Sequence, residues 1–424
     1  MRVSTTTTIT TKHAIGLCFA LLATAVCGLP SILPRNHDGL GSYTLNTKPN
    51  PTFKGRNGTG AYLKAMAKYA HLADSGSEKA ASLVSSLTGF AEADDREWLC
   101  PVAIGTPGQI VNLDLDTGSA DLWVFTTTPA SHHNSLGNRS TYNVNASSTA
   151  SRLNNSAWLI TYGDGSYASG NVYTDNVQLG DLLVKNATVE TATRWSSNLI
   201  EDDAPLSGLM GLAINLSTTI RPHVQGVTNG ILSQLKNQGI GSITVDLQYH
   251  NDGTFTFGGA NASSAYDSQM LYQPVLPGKG YWEIEMTSVR FADSDEVLIH
   301  SWPTIVDTGT SLMLMSSDDL VKQYYDLVDS ATYSVEDYGY VFNCNETLPD
   351  FHFGFTDDWA EYTVPGRYMN YSTAPEMGEE YCYGGIQGSD MGFSIMGDVF
   401  LKAVYVDFNI ANQTVGFAHK TLEN

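Results

Sequence analysis

Two short segments of this chain place an aspartate where it could do acid–base chemistry: Asp116-Thr117-Gly118-Ser119 and Asp307-Thr308-Gly309-Thr310. Each follows an apolar stretch, Val-Asn-Leu-Asp-Leu before Asp116 and Thr-Ile-Val before Asp307, and each ends in a small hydroxyl residue. One Asp-Thr-Gly arises by chance in roughly a tenth of chains this long, and alone it reads as a turn in which Asp bonds its own backbone. Two in matching contexts point instead to two related lobes, each giving one carboxylate to a shared site. Like charges a few ångströms apart cannot both ionise, so such a pair shares one proton, with one apparent pKa lowered and the other raised. The ionised partner can take a proton from water while the protonated one polarises a carbonyl, which hydrolyses an amide without metal or covalent intermediate. Glycine after Asp-Thr lets backbone N–H groups approach the carboxylates. Ser119 and Thr310 are expected to bond the outer carboxylate oxygens, and Thr117 and Thr308 to tie the two loops together.

The elements that must carry these loops read as β-structure. After Trp98 the chain is a series of short apolar or alternating runs broken by Gly, Asn and Asp: 102–104, 110–115, 122–125, 158–162, 172–179, 243–247, 254–257 and 404–408. Helical segments are few, near 230–237 and 318–327, so the chain is expected to be all-β with minor helix. The doubling recurs downstream, where Leu209-Met210-Gly211 and Ile395-Met396-Gly397 suit strand ends whose glycine lets another backbone pass closely.

Ahead of this body lies a different composition. Met1 to His13 is basic and threonine-rich, and the apolar run from Ala14 to about Cys27 suits the core of a secretory signal, residues 1–27, and is short for a membrane span. A leader is expected over 28–89, with processing somewhere in 73–95, followed by lobes at 90–271 and 272–424. No later stretch is long enough to span a membrane and no lipid-anchor tail ends the chain, so the reading is a soluble, secreted or vacuolar protein. Ten Asn-x-Ser/Thr sequons agree with that route: Asn57, Asn138, Asn145, Asn154, Asn186, Asn215, Asn261, Asn345, Asn370 and Asn412.

The net charge of −22 conceals a division. Residues 1–85 carry nine Lys/Arg against three Asp/Glu, whereas the remainder carries thirteen against forty-one. A basic leader on an acidic body suggests an electrostatic clamp. The acidic body is a poor partner for nucleic acid, whose phosphates require Lys and Arg. Of five cysteines, Cys18 and Cys27 fall in or beside the signal. In an oxidising compartment Cys344 and Cys382 are expected to pair, worth about 4 kcal/mol on the chain-entropy model, leaving Cys100 as a buried thiol. No spacing suits zinc and the histidines form no ligand pattern, so neither metal nor cofactor is expected.

Taken together, Ile104-Gly-Thr-Pro, Asp116-Thr-Gly-Ser-Ala-Asp-Leu-Trp123-Val-Phe, Ile160-Thr-Tyr162-Gly163-Asp164-Gly165-Ser166, Ser207-Gly-Leu-Met-Gly-Leu, Asp307-Thr-Gly-Thr-Ser-Leu, Gly384-Gly-Ile-Gln and Met396-Gly-Asp-Val-Phe-Leu-Lys resemble the pepsin-like aspartic endopeptidases, nearest their secreted fungal branch. The likeness runs from about Glu97 onward and includes Lys68-Tyr69. It implies a bilobal all-β fold with a deep cleft and Asp116 and Asp307 as catalytic dyad. It makes Tyr162 the tyrosine of a flap hairpin whose hydroxyl reaches the indole N–H of Trp123. Asp164 and Ser166 match flap positions that in some fungal relatives admit a basic side chain. Lys68 and Tyr69 match the propeptide element that blocks the dyad until acid releases it. Protein and peptide substrates, the chain's own leader and pepstatin-type inhibitors are the partners implied, for a monomer. Two departures stand out, Ser207 where the family often has Asp, and Cys100. The competing class is a catalytically silent pepsin-like binding or inhibitor protein; such relatives lose a dyad aspartate, a motif glycine or the flap tyrosine, and all are present here.

Overall fold

Alternation of apolar and polar residues fixes the first sheet. In the strand Gln109–Asp116, Val111, Leu113 and Leu115 are buried while Ile110, Asn112 and Asp114 beside them are exposed or half-buried, the period-2 signature of a strand with one face on a core. The computed structural model describes residues 42–49, 57–72 and 98–422, except 128–135, 138, 163–165, 200–205, 225, 227, 250, 259–268, 356–360 and 375. The signal, the processing region, Gly163, Asp164 and the sequons Asn138 and Asn261 fall outside the described residues.

Eight strands between Lys48 and Gly211 form one sheet, and Trp98–Ile104 pairs again with Tyr167–Leu179, which curls the sheet on itself. Seven strands between Glu283 and Met396 form a second sheet, flanked by a four-stranded one that includes Gly339–Asn343 and Tyr381–Gly384. A six-stranded sheet takes strands from both halves of the chain: Ser242–Gln248, Asn251–Phe257, Leu271–Pro274, Val404–Asn409 and Thr414–His419, with Tyr43–Asn46 at its edge. Ile243, Val245, Val406, Phe408, Val415 and Phe417 line its buried face. The expected lobe boundary between residues 271 and 272 falls within one of these strands. The architecture is the expected one, all-β and bilobal with minor helix. No helix among the described residues is long and apolar enough to cross a membrane.

The two lobes are knitted by the same rule. Gln109–Asp116 runs parallel to Gly208–Gly211, with Asp116 opposite Gly211, and Gly208–Gly211 runs antiparallel to Leu122–Phe125. Likewise Leu298–Val306 runs parallel to Ser394–Met396, which runs antiparallel to Met313–Met315. The glycine of each apolar-apolar-Gly element sits where the Asp-Thr-Gly loop passes. A Cβ on Gly211 would lie 2.6 Å from the backbone of Ser119 and Ala120, and one on Gly397 would lie 2.1 Å from the Thr310 carbonyl. Gly211 N–H donates to the Asp121 carbonyl and Gly397 N–H to the Leu312 carbonyl, equivalent positions in the two loops. Ser207 is compatible with its position: it is buried, donates its N–H to the Asn112 carbonyl and accepts the Asn112 N–H on Oγ.

The described residues of the expected leader, 42–49 and 57–72, pack as part of this fold. Tyr43–Asn46 adds to the edge of the six-stranded sheet with Leu45 opposite Phe255. The helix Gly58–Tyr69 begins at Asn57, whose Oδ1 accepts the Gly60 N–H at 3.1 Å. Tyr62, Ala65, Met66 and Tyr69 recur at helical spacing and are all buried against the body. Cys344 and Cys382 form the disulfide, and Cys100 is a buried free thiol in Trp98–Ile104.

Candidate active site

Each Asp-Thr-Gly loop is held by the other. The Thr117 N–H donates to Thr308 Oγ1 and the Thr308 N–H to Thr117 Oγ1, both at 3.0 Å. Each hydroxyl then donates across the boundary, Thr117 to the Val306 carbonyl at 3.1 Å and Thr308 to the Leu115 carbonyl at 2.6 Å. Both threonines are buried, so these bonds act in a dry interior and fix the two loops to one another. The expected tie between Thr117 and Thr308 is present in the structure in this reciprocal form. A second link comes from the indole of Trp282, which donates to the Leu212 carbonyl at 2.9 Å.

Asp116 and Asp307 therefore face one another, both almost wholly out of solvent. Gly118 N–H donates to Asp116 Oδ1 at 2.8 Å and Gly309 N–H to Asp307 Oδ1 at 2.9 Å. The glycines serve a second purpose that the turn argument did not reach. Neither has a left-handed backbone, but a Cβ on Gly309 would lie 2.3 Å from Asp116 Oδ1, and one on Gly118 would lie 2.6 Å from Asp307 Oδ1. A side chain on either would occupy the space of the opposite carboxylate.

The symmetry ends at the hydroxyls. Thr310 Oγ1 donates to Asp307 Oδ2, as expected. Ser119 does not repeat this for Asp116: its Oγ is buried with no hydrogen-bond partner among the described residues, and the Asp116 contacts from Gly118 and the leader are both made on Oδ1. Lys68 Nζ lies 2.8 Å from Asp116 Oδ1 and 2.8 Å from Asp307 Oδ2, and the Tyr69 hydroxyl donates to Asp307 Oδ2 at 2.8 Å. The Tyr69 ring is cupped edge-on by Tyr281 and Phe393, with centroids 5.4 and 6.0 Å away.

These contacts split the two carboxyls. Burial opposes ionisation of Asp307, yet the Lys68 charge and hydrogen bonds from Asp116, Lys68 and Thr310 hold it well below the ordinary carboxylate range. Burial of Asp116 outweighs the Lys68 charge, and the neighbouring Asp307 adds to it, so Asp116 is pushed up. Burial alone would favour neutral Lys68, but the two aspartates keep it charged. The pair can thus hold one proton on Asp116 while Asp307 is ionised, the poise that proton transfer to a carbonyl and from a water requires. In this form the Lys68 ammonium occupies the place between them.

Above the cleft, the indole N–H of Trp123 donates to the Tyr162 hydroxyl at 2.8 Å, and the Tyr162 N–H to the Ser166 carbonyl at 2.8 Å. Trp123 is fully buried and stacks on Trp158, so it anchors Tyr162 from a rigid base. Ser166 is buried at the root of the hairpin. Three residues of the site were not singled out from the sequence. Tyr281 and Phe393 had no motif to mark them. Asp121 lies within the first motif, and its Oδ1 accepts the Thr219 N–H and hydroxyl at 2.7 and 2.9 Å.

The sequence pattern of the eukaryotic aspartyl proteases matches residues 97–420. Endothiapepsin of Cryphonectria parasitica is 38% identical over 396 residues, covering 90% of this chain and 91% of that protein. An aspergillopepsin-1 of Aspergillus fumigatus is 36% identical, covering 94% and 96%, and penicillopepsin-1 of Talaromyces stipitatus is 37% identical, covering 84% and 87%. With the doubled loops meeting at one point and likeness over nearly the whole length, the chain belongs to the eukaryotic aspartyl protease family and is a pepsin-like aspartic endopeptidase.

Proposed function

We propose that the chain is made as a secreted zymogen whose leader blocks a dyad of Asp116 and Asp307, and that acid frees it to hydrolyse internal peptide bonds. The observation that carries this reading is the Lys68 ammonium seated between the two carboxylates with the Tyr69 hydroxyl on Asp307. A cation on a buried dyad neutralises it and fills the position a substrate carbonyl and its attacking water must take. In the working enzyme Asp307 accepts the water proton and Asp116 donates to the carbonyl oxygen, with Thr117, Gly118, Thr308, Gly309 and Thr310 holding the geometry. Tyr162 and Trp123 place the flap over an extended substrate bound by backbone hydrogen bonds. Hydrophobic residues flank the scissile bond, and Asp164 with Ser166 lets lysine serve before it. Proteins and peptides are its substrates, pepstatin-type molecules its inhibitors, and it acts as a monomer.

The test is to acidify the purified full chain with and without a pepstatin-type inhibitor, then identify the new N-terminus and cleavage of a protein substrate. A cut after Tyr69 and ahead of Trp98, blocked by the inhibitor, is expected. Inhibitor-insensitive activity, or activity surviving Asp307→Asn, sinks the dyad mechanism. Replacing Asp164 should lower cleavage after lysine relative to leucine, and an unchanged ratio removes the flap assignment.

A further inference from the structure

The leader does more than neutralise the dyad. Two helical turns before Tyr69, the Tyr62 side chain is fully buried, and its hydroxyl donates to the Gly388 carbonyl at 2.9 Å. Burial pushes the Tyr62 phenol up, and the nearby Tyr333, Asp318 and Asp390 push it further, so it stays a hydrogen-bond donor. The floor of this recess is tightly packed: a Cβ on Gly388 would lie 1.9 Å from Asp318 Oδ1. Beside it the Tyr383 ring takes the backbone of Gly58 so closely that a Cβ there would lie 2.1 Å away. The Tyr383 hydroxyl is buried without a hydrogen-bond partner among the described residues. Tyr333 forms the rim and is 45% exposed.

Blocking the two aspartates needs only Lys68 and Tyr69, yet the body presents a built place for a phenol about two helical turns away. Seven helical residues span roughly 10 Å, the length that about three residues cover in an extended chain. Resting on the reading that the leader is removed, we infer that the recess vacated by Tyr62 is a substrate subsite of the mature enzyme, for a tyrosine side chain about three residues from the one seated at the dyad. The substrate ring takes the buried place of the Tyr62 ring, and its hydroxyl takes up the Gly388 carbonyl. Phenylalanine fills the same volume but makes no hydrogen bond to that carbonyl.

The experiment uses acid-processed enzyme whose new N-terminus has been identified. Internally quenched peptides carry one scissile bond, with Ala, Phe, Tyr or Lys placed in turn at each position two to five residues away on either side. Tyrosine at one position should raise kcat/KM over alanine by about 10- to 100-fold, the range expected for burying a side chain of this size. It should exceed phenylalanine by about 3- to 10-fold, the worth of one hydrogen bond. Tyr333→Ala, at an exposed position, should shrink the tyrosine-to-alanine ratio at that position. A flat ratio at every position in enzyme that has lost its leader overturns the subsite alone, and lysine preferred over tyrosine there overturns the phenol assignment. Active enzyme that still carries its leader overturns both the zymogen reading and the subsite.

Discussion

Replacing Lys68 by Met keeps the length of the side chain and its apolar packing while removing the ammonium from between the carboxylates. In the native pair Nζ lies 2.8 Å from an oxygen of each aspartate, and the carboxylate side chains are 4% and 0% exposed. Breaking a buried ion pair from one side costs about 3–5 kcal/mol. The low end applies here, because the freed dyad can take up a proton and the Tyr69 bond to Asp307 remains. A loss of about 3 kcal/mol weakens leader docking about 100-fold. The pH signs follow from the shifts. The raised Lys68 contributes fully below its unfolded value and loses its contribution only as pH rises through the alkaline range. The depressed Asp307 contributes above the ordinary carboxylate range and loses that only as pH falls far below it. The clamp is therefore held across the whole neutral range, and Asp307 is among the last carboxyls to protonate. Lys68 lowers Asp116 relative to a leader-free dyad while burial keeps it above Asp307, so protonation of Asp116 cancels its share of the clamp first and acid release starts from Asp116 and the rest of the acidic body. Without Lys68 the leader keeps only the Tyr69 bond to an ionised Asp307, and release should begin near neutral pH. The assay is binding of a fluorescent pepstatin-type probe to the purified full chain near neutrality: wild type should exclude it, and Lys68→Met should admit it. If both exclude it equally, burial of the leader helix holds the cleft shut and the electrostatic argument fails.

Gly309→Ala should lower kcat by about 100-fold or more, since displacing a reacting group by about 1 Å already costs that much, and its Cβ would lie 2.3 Å from Asp116 Oδ1; full activity with unchanged circular dichroism would contradict the close-approach argument. Asp121 and Glu190 form a second buried acid pair, raised by burial, with Glu190 raised further by Asp121. Their folded form holds a proton that the unfolded chain has lost, so stability is greatest in acid and falls by about 1.4 kcal/mol per pH unit through the window above the carboxylate range. Glu190→Gln should flatten that slope in urea unfolding from acid to neutral pH, and parallel slopes would dismiss the shared proton. Among the sequons, Asn370 commits its Nδ2 to the Cys344 carbonyl at 3.2 Å, whereas Asn145, Asn186, Asn345 and Asn412 are exposed. Peptide mapping of secreted protein should find Asn370 bare and sugar on the exposed group; a glycan on Asn370 would refute this.

The parts of the fold written in local pattern were legible. Short apolar or alternating runs marked Gln109–Asp116 and Val404–Asn409, and the repeated apolar-apolar-Gly located Gly211 and Gly397 where the loops cross. What was not legible depends on residues far apart in sequence. A helical stripe of Tyr62, Met66 and Tyr69 shows that a face is buried, but not that Gly388 and Tyr281 receive it. Tyr-Trp at 281–282 carries no periodic signal, and its importance arises because the Trp282 indole meets Leu212 from the other half of the chain. The glycine of each motif could be assigned to a turn from sequence, whereas its steric role exists only once the other aspartate is across from it.

A pair of related lobes tends to build a symmetric site, and peptide hydrolysis needs an asymmetric one, with one acid and one base. The threonines keep the symmetry, bonding reciprocally at matched distances. The next residue along breaks it. Thr310 gives its hydroxyl to Asp307, while the Ser119 hydroxyl is buried without a partner among the described residues. Each donor to a carboxylate favours its ionised form, so Asp307 is the more readily ionised and Asp116 keeps the proton. The leader follows the same bias: Tyr69 bonds Asp307 and not Asp116, and Lys68 takes one oxygen of each. On the proposed zymogen reading, inhibition by the leader would rest on the same inequality between the aspartates that the reaction uses, and a segment could hold the site closed without rearranging the loops that must later act.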